Sequence, residues 1–554
     1  MKKEKKVLPI GEDDFRRIRE DDGYYVDKTL MIKDFTRYKN KATLITRPRR
    51  FGKTLNMTML RDFFDIEQES RGIFEGLAIM ETDYAELMNT VPVIHLSFKN
   101  CSGKSIEELE ISLAEEMRRE YVRHERYLKD VDEKDKSYSR FFETANMLEE
   151  RPNELTRSQS VQNNLLKNSL VYLIEALYTF YKVRPIVLID EYDNPIIEAH
   201  QEGYRKEFTS FYASFLTGAL KGNPHLGQAL LTGIQRVAKE SIFSKINNIA
   251  VYNVLDDQYA TYFGLTEAET SELLEYYDLE LNENVKSYYD GYNFAGIDIY
   301  NPWSVLSYAS KKKLQSYWLY TSTNLLIHEA LEMADYEFHD NFEKLIKDGQ
   351  VTVRVDLSAS FTELPKASTL WGLFINAGYL TVIHADYQSN RFTIRMPNEE
   401  IKTEFESLVS TYTRLSDNRL KNMLIALTAG KMDEFLTIYQ KLVLESTSFH
   451  DARENAYHML MLGMVMHLRE LYDITSNIES GHGRSDLIMK SKDVKRSHIV
   501  IEFKQGENIE KLKHEALEQI EEQKYYAGLT GDVLCIGVAH DKKRCELVHR
   551  LITV

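Results

Sequence analysis

The most restrictive feature of this chain is a short apolar run that feeds a basic loop and then a helix. Ala42-Thr-Leu-Ile-Thr46 reads as a strand, and Arg47-Pro-Arg-Arg-Phe-Gly52 reads as a loop. From Thr54 onward, Leu55, Met59, Leu60 and Phe63 recur at helical spacing. Strand, loop and helix in that order are the setting a phosphate loop needs. Main-chain N–H groups of Arg50, Phe51, Gly52 and the helix start would hold phosphates. Lys53 would reach the β/γ-phosphates and Thr54 would ligand Mg²⁺. Arg47 stands where the motif has its first glycine. Gly-Lys-Thr alone also fits an ordinary helix start, so the reading needs a second element.

Pro185-Ile-Val-Leu-Ile-Asp190-Glu191 supplies it. An apolar run ending in two acids is what a buried parallel strand presents, and α/β sheets bind ligands at the C-terminal ends of such strands. Asp190 is expected to hold Mg²⁺ through water. Glu191 is expected to polarise the attacking water as a general base. Gln228-Ala-Leu-Leu-Leu-Thr232-Gly233 reads as a third strand. Thr232 would sense the γ-phosphate, and Arg236 would stabilise its charge in cis or in trans. The alternative for Arg236 is a plain surface arginine.

Near the other end stand Asp486 and Glu502-Phe-Lys504. Glu-x-Lys also occurs at Glu400-Ile-Lys402 and Glu522-Gln-Lys524, so the triplet alone decides little. The order of elements decides more. A helix is expected over 453–471, strands over 474–479, 484–490 and 498–504, an amphipathic helix over 508–526, and a buried strand over 532–539. Ile509, Leu512, Ala516 and Ile520 mark one face of the second helix. Side chains two apart on a strand share a face, so Glu502 and Lys504 project together. Two carboxylates and a backbone carbonyl suit Mg²⁺ or Mn²⁺, which would activate water for phosphodiester cleavage. Lys504 would orient the nucleophile or lower its pKa. The alternative is surface ion pairing on an exposed hairpin. His482, in Gly481-His-Gly483, reads as a turn residue.

At roughly 150 residues per domain, 554 residues make about three or four domains. The 43% hydrophobic and 28% charged composition is that of a soluble globular chain. No apolar stretch approaches the roughly 18 residues a membrane span needs. The charged N-terminus has no apolar segment behind it, so no signal peptide and a cytoplasmic location are expected. Three cysteines without paired spacing support neither a disulfide framework nor a zinc site. The net charge of −16 argues against tight non-specific binding of nucleic acid but leaves room for a local basic groove. Lys492, Lys495, Arg496 and Lys504 are candidates for it, with a solvated hairpin turn as the alternative. The tyrosines of 287–292 fit core packing better than base stacking.

Taken together, these motifs resemble a family. Tyr24-Tyr-Val-Asp27-Lys28-Thr29, the Arg-Pro-Arg-Arg-Phe-Gly-Lys-Thr loop, Ile-Asp-Glu-Tyr-Asp193, Tyr289-Asp-Gly-Tyr-Asn-Phe294 and Tyr300-Asn-Pro-Trp-Ser304 occur in that order. The chain looks like the bacterial AAA-ATPase-like proteins with a C-terminal PD-(D/E)XK nuclease domain. In that family an arginine in place of the first glycine is usual. The resemblance implies an α/β chain with a P-loop parallel-sheet domain over 1–240 and a lid or winged-helix-like module over 241–330. A mainly helical connection over 331–440 and a restriction-endonuclease-like domain over 441–554 would follow. It implies that Tyr24 to Thr29 lie near the nucleotide base, that Glu454 is an additional acidic metal ligand, and that Gln519 is the glutamine of the following helix. Its expected cofactors are ATP and Mg²⁺, with Mn²⁺ an alternative at the nuclease site. Its expected partner is nucleic acid, DNA ahead of RNA, with homo-oligomerisation left open and no membrane. The implied function is ATP control of a metal-dependent DNA nuclease, in defence or mobile-element biology. The alternatives are a nucleotide-gated switch whose nuclease-like domain binds without cutting, and a plain ATPase motor.

Overall fold

Behind the phosphate loop, five strands run parallel in the order β2-β3-β4-β1-β5. They are β1 (Ala42–Thr46), β2 (Val93–Ser97), β3 (Ile186–Asp190), β4 (Ala229–Gly233) and β5 (Ile249–Tyr252). The computed structural model describes residues 5–128, 135–149, 159–236, 249–318, 336–357, 366–402, 417–445, 471–480, 483–541 and 544–554, with a few single positions between. By contact, the chain divides into two units. One holds 1–318, 354–364 and 371–400; the other holds 319–353, 365–370 and 401–554.

Every residue of β1, β3 and β4 is buried, as strands covered on both faces must be. The period of two sorts their side chains. Leu44, Ile94, Leu96, Val187, Ile189 and Leu231 join a core with the helices Ile106–Leu128, Gln159–Tyr181 and Arg205–Leu220. The alternate residues, Asp190 and Thr232 among them, therefore share the opposite face. β4 lies between the strand that feeds the phosphate loop and the strand that carries Asp190, which sets Thr232 between them.

Beyond β5 comes a small antiparallel sheet, β6 (Leu265–Thr266), β7 (Tyr292–Phe294) and β8 (Ile297–Tyr300), ordered β6-β8-β7. Helices Glu267–Tyr276, Glu283–Tyr289 and Pro302–Lys311 pack with it around Leu273, Leu274, Val285, Tyr289 and Tyr300. Thr266 and Glu269 form a capping box at the first helix, and Asn301 caps the third. Tyr289 and Tyr292 are buried, which is the core-packing role. β9 (Gln350–Arg354) follows, then an antiparallel pair, β10 (Thr381–Asp386) and β11 (Arg391–Arg395).

The second unit ends in a mixed sheet, β12 (Tyr472–Ser480), β13 (Gly483–Ser491), β14 (His498–Gln505), β15 (Asp532–Asp541) and β16 (Arg544–Thr553), in sequential order. Only β14 and β15 pair in parallel, and helix Ile509–Glu522 makes that crossover. The helix stops earlier than its apolar pattern predicts, because Lys524 turns left-handed at φ +53°. The final strand β16 was not expected: only part of it is buried, so its apolar content is diluted by Arg544, Glu546, His549 and Arg550. The expected helix over 453–471 lies almost wholly outside the described residues. One face of the sheet packs Leu487, Met489, Ile501 and Phe503 against Met423, Leu427, Phe435 and Tyr439. The other packs Ile488 and Val500 against Leu517, Ile520 and Tyr525. Asp486, Glu502 and Lys504 fall in the second register, facing helix Ile509–Glu522.

Candidate functional sites

The phosphate loop closes on itself. Lys53, the first residue of helix Lys53–Phe64, is buried and donates from Nζ to the carbonyls of Arg47 at 3.0 Å and Pro48 at 2.8 Å. Burial lowers its pKa, while Glu191, Asp190 and Asp193 act in the other direction. Gly52 has φ +81°, and a Cβ there would meet nothing within 4 Å, so the loop is open on that side. Arg47 has no left-handed backbone, so nothing at its position demands glycine. Its side chain turns back beneath the loop, with its guanidinium 5.5 Å from the Phe263 ring and 5.2 Å from the Phe294 ring. Burial brings its pKa down to about 9.

Asp190, fully buried, joins the loop helix to the neighbouring strand. It accepts Thr54 Oγ1 at 2.6 Å on one oxygen and Thr232 Oγ1 on the other. The structure thus brings Lys53, Thr54, Asp190 and Thr232 together. Glu191 follows in the left-handed region at φ +52°, a strained position for a non-glycine residue. Burial raises its pKa and Asp190 adds to the rise. Asp193, which motif reading did not assign a role, accepts the N–H groups of Ile234 at 2.9 Å and Gln235 at 3.1 Å. It fixes the turn after β3 to the end of β4. Arg236 is half-buried and is the last described residue before 249.

The side chains of two loop residues turn away from the loop. The Phe51 ring is buried at 4.9 Å from Tyr292 and 5.3 Å from Phe294. The Arg50 side chain reaches the Tyr317 carbonyl at 3.1 Å and lies 4.4 Å over the Trp303 ring. Only their main chains remain on the loop. Beside Gly52 opens a pocket of about 90 Å³, lined by Tyr24, Tyr25, Val26, Leu55, Asn56 and Leu273 among others. Its walls are almost entirely apolar, and Lys28 at its edge is bound to Glu269 at 2.6 Å. A planar base fits such walls.

In the second unit, the β13–β14 ladder runs from Met489↔Ile499 to Leu487↔Ile501 and then stops. Beyond it, side chains take over the main-chain bonds. Asp486 Oδ2 accepts the Phe503 N–H at 2.8 Å, and Glu502 Oε2 accepts the Asp486 N–H at 3.2 Å. The two carboxylates therefore stand where the strands part, satisfying N–H groups the ladder no longer pairs. Glu502 is 3% exposed. Its Oε1 accepts Gln519 Nε2 at 2.5 Å and lies 3.8 Å from Lys504 Nζ. Gln519 in turn donates to the Tyr525 hydroxyl at 2.9 Å. Tyr525 is a member of the site that only its burial and this bond reveal. Asp486, Glu502, Lys504 and Gln519 are thus brought together.

The two carboxylates supply hard oxygen donors of the kind a divalent cation takes, and the Lys504 ammonium beside them is not a ligand. Groups of three or more acidic, histidine or cysteine ligands are absent among the described residues, and Glu454, the expected third, lies outside them. Of the residues named for a basic patch, Lys492, Lys495 and Arg496 share the β13–β14 turn and Lys504 does not. Lys492 pairs with Asp473 at 3.3 Å and Arg496 lies 5.8 Å over Tyr472, both at the β13–β14 turn. Lys504 sits at the far end of β14. Among the described residues no helix is long and apolar enough to cross a membrane.

Comparison with known proteins agrees with both halves. Residues 9–243 match the family described as a predicted AAA-ATPase, and residues 452–550 match the PD-(D/E)XK nuclease superfamily. A protein of Azotobacter chroococcum mcd 1, described as an uncharacterized protein in the vnfD 5' region, is 27% identical over 419 residues. That alignment spans 74% of this chain and 71% of the relative. The chain carries a predicted AAA-ATPase domain near its N-terminus and a domain of the PD-(D/E)XK nuclease superfamily at its C-terminus.

Proposed function

We propose that this protein binds and hydrolyses ATP at loop 47–54 and cuts DNA at the Asp486/Glu502/Lys504 site, with nucleotide state governing the cutting. The observation that carries the nuclease half is the double capping of Asp486 and Glu502 across the parted strands, with Lys504 and Gln519 closing on one Glu502 oxygen. A surface ion pair would have no such mutually oriented carboxylates, one of them buried.

Asp486 and Glu502 would hold Mg²⁺ or Mn²⁺, which supplies an activated water and charge stabilisation when bound. Gln519 fixes the direction of the Glu502 carboxylate. Lys504, partly exposed on the same strand, places a cation where the attacked phosphate carries charge. In the other unit, Lys53 and the main chain of Arg50 to Thr54 would hold phosphates, with Thr54 and Asp190 at the metal position. Glu191, held near Asp190 and Lys53, would orient the attacking water. The apolar pocket beside Gly52 supports a nucleobase at that position.

Plasmid cleavage by wild type and Glu502→Ala tests the nuclease half. Cleavage that needs metal and vanishes in the variant supports it, and equal cleavage by the variant rejects it.

A further inference from the structure

Trp318 and Glu400 are two of the points at which the chain leaves the N-terminal unit. Inside that unit the two exits are tied together. Glu400 is 1% exposed. Its Oε1 accepts the N–H of Tyr317 at 2.7 Å and of Trp318 at 3.0 Å, and its Oε2 accepts Ser304 Oγ at 2.8 Å. A carboxylate so buried is stable only with such donors. Glu400 heads one of the Glu-x-Lys triplets, and its place in the fold is this tie.

The phosphate loop reaches the same tie. The Tyr317 carbonyl accepts Arg50 Nη1 at 3.1 Å and Trp303 Nε1 at 3.0 Å. The Arg50 guanidinium also lies over the Trp303 ring. Arg50 is left-handed at φ +66°, two residues before Gly52 at φ +81°. A non-glycine residue keeps that conformation only where its surroundings hold it. The loop that would wrap the phosphates and the side chain that grips Tyr317 are thus set by one strained backbone position.

We propose that Arg50 couples nucleotide occupancy of the phosphate loop to the Glu400–Tyr317–Trp318 tie, and through it to the segments that follow Trp318 and Glu400 into the C-terminal unit. This rests on the ATP-binding reading above and specifies how that site is linked to the rest of the chain. Coupling needs a contact that differs between two states. The Arg50 grip on Tyr317 is such a contact, because phosphate binding acts on the peptide groups at 50–52.

The test uses the full chain. ATP·Mg²⁺ binding is measured by calorimetry, and amide hydrogen exchange is followed in helices Tyr336–Asp348 and Asp417–Thr428 of the C-terminal unit with and without ATP. Trp303→Phe keeps a ring beneath Arg50 but removes the Nε1–H donor. It is expected to stay folded by thermal melt, to bind ATP as wild type does, and to lose most of an exchange response on the order of fivefold. Arg50→Ala is expected to lose the response as well. A full response in both variants, or none in a wild type that binds ATP, would overturn the coupling alone. A wild type that binds no ATP would instead remove the ATP reading, and the coupling with it.

Discussion

Asp486 and Glu502 hold each other's strand. Asp486 Oδ2 takes the Phe503 N–H at 2.8 Å, and Glu502 Oε2 takes the Asp486 N–H at 3.2 Å. The acids that would bind metal also repair the ladder where β13 and β14 separate. Changing either one therefore affects chemistry and local structure together, and a conservative variant of a neighbour is a useful companion to Glu502→Ala.

Gln519 offers such a variant. Its amide holds Glu502 Oε1 at 2.5 Å and leans on Tyr525. Gln519→Leu removes the donor without adding charge. Loss of an outer partner of a ligand costs about 10–100-fold in metal affinity or activity. Cleavage rates across a Mg²⁺ titration should show that drop mainly as a higher half-saturating metal concentration. Rates equal to wild type at every concentration would remove Gln519 from the site.

Lys53→Ala should weaken ATP binding by at least about tenfold, or about 1.4 kcal/mol. It also strips the Arg47 and Pro48 carbonyls of their donor, so the loop loses its internal closure. Titration calorimetry reads the change directly. An unaltered dissociation constant would take Lys53 out of the phosphate site.

Glu191 sets a pH dependence. Burial and the Asp190 charge raise its pKa in the folded protein. Below its unfolded pKa, about 4.3, the carboxyl is neutral in both states and its raised folded pKa contributes its full stabilisation. That contribution is lost as pH rises through the folded pKa, where the folded state must carry a desolvated charge. Glu191→Gln should therefore melt like wild type in acid and above it at neutral pH, by about 2 °C or more. Melting curves from pH 4 to 8 check the sign. A variant less stable than wild type at neutral pH contradicts it.

Arg123 anchors a buried charge cluster that has no part in either proposed chemistry. It pairs with Asp65 at 2.7 Å, Glu67 at 3.2 Å and Glu120 at 2.7 Å. Beside it, fully buried His124 meets Glu67 at 2.7 Å. Burial opposes charge on His124, yet bonds to Glu120 and Glu67 carry its pKa upward. Arg123→Ala leaves three acids short of a cation, and breaking a buried pair from one side costs about 3–5 kcal/mol. Denaturant unfolding should show a loss of that size, and a loss below about 1 kcal/mol would mean that the cluster relaxes.

Legibility followed burial and local pattern. β1, β3 and β4 could be read because both faces are covered, so apolar residues run unbroken. The order of β12 to β15 could be read because Gly483 and the 492–497 turn punctuate alternating strands. β16 could not, since a half-exposed edge strand mixes charge into its pattern. Neither Glu400 nor Tyr525 could be read: their roles depend on partners 82–96 and 6 residues away, which only the fold brings near. The side chain of Arg50 was not legible for a related reason. Its main chain belongs to the phosphate loop, but its side chain answers to Trp303 and Tyr317.

The central claim is one chain in which ATP governs a nuclease. Cleavage of plasmid DNA with Mg²⁺ or Mn²⁺, with and without ATP, should be followed for wild type, Lys53→Ala and Glu502→Ala side by side. Metal-dependent cutting that changes with ATP is expected in wild type, cutting deaf to ATP in Lys53→Ala, and none in Glu502→Ala. Cutting that persists in Glu502→Ala, or that ignores ATP in a wild type shown to bind it, would contradict the account.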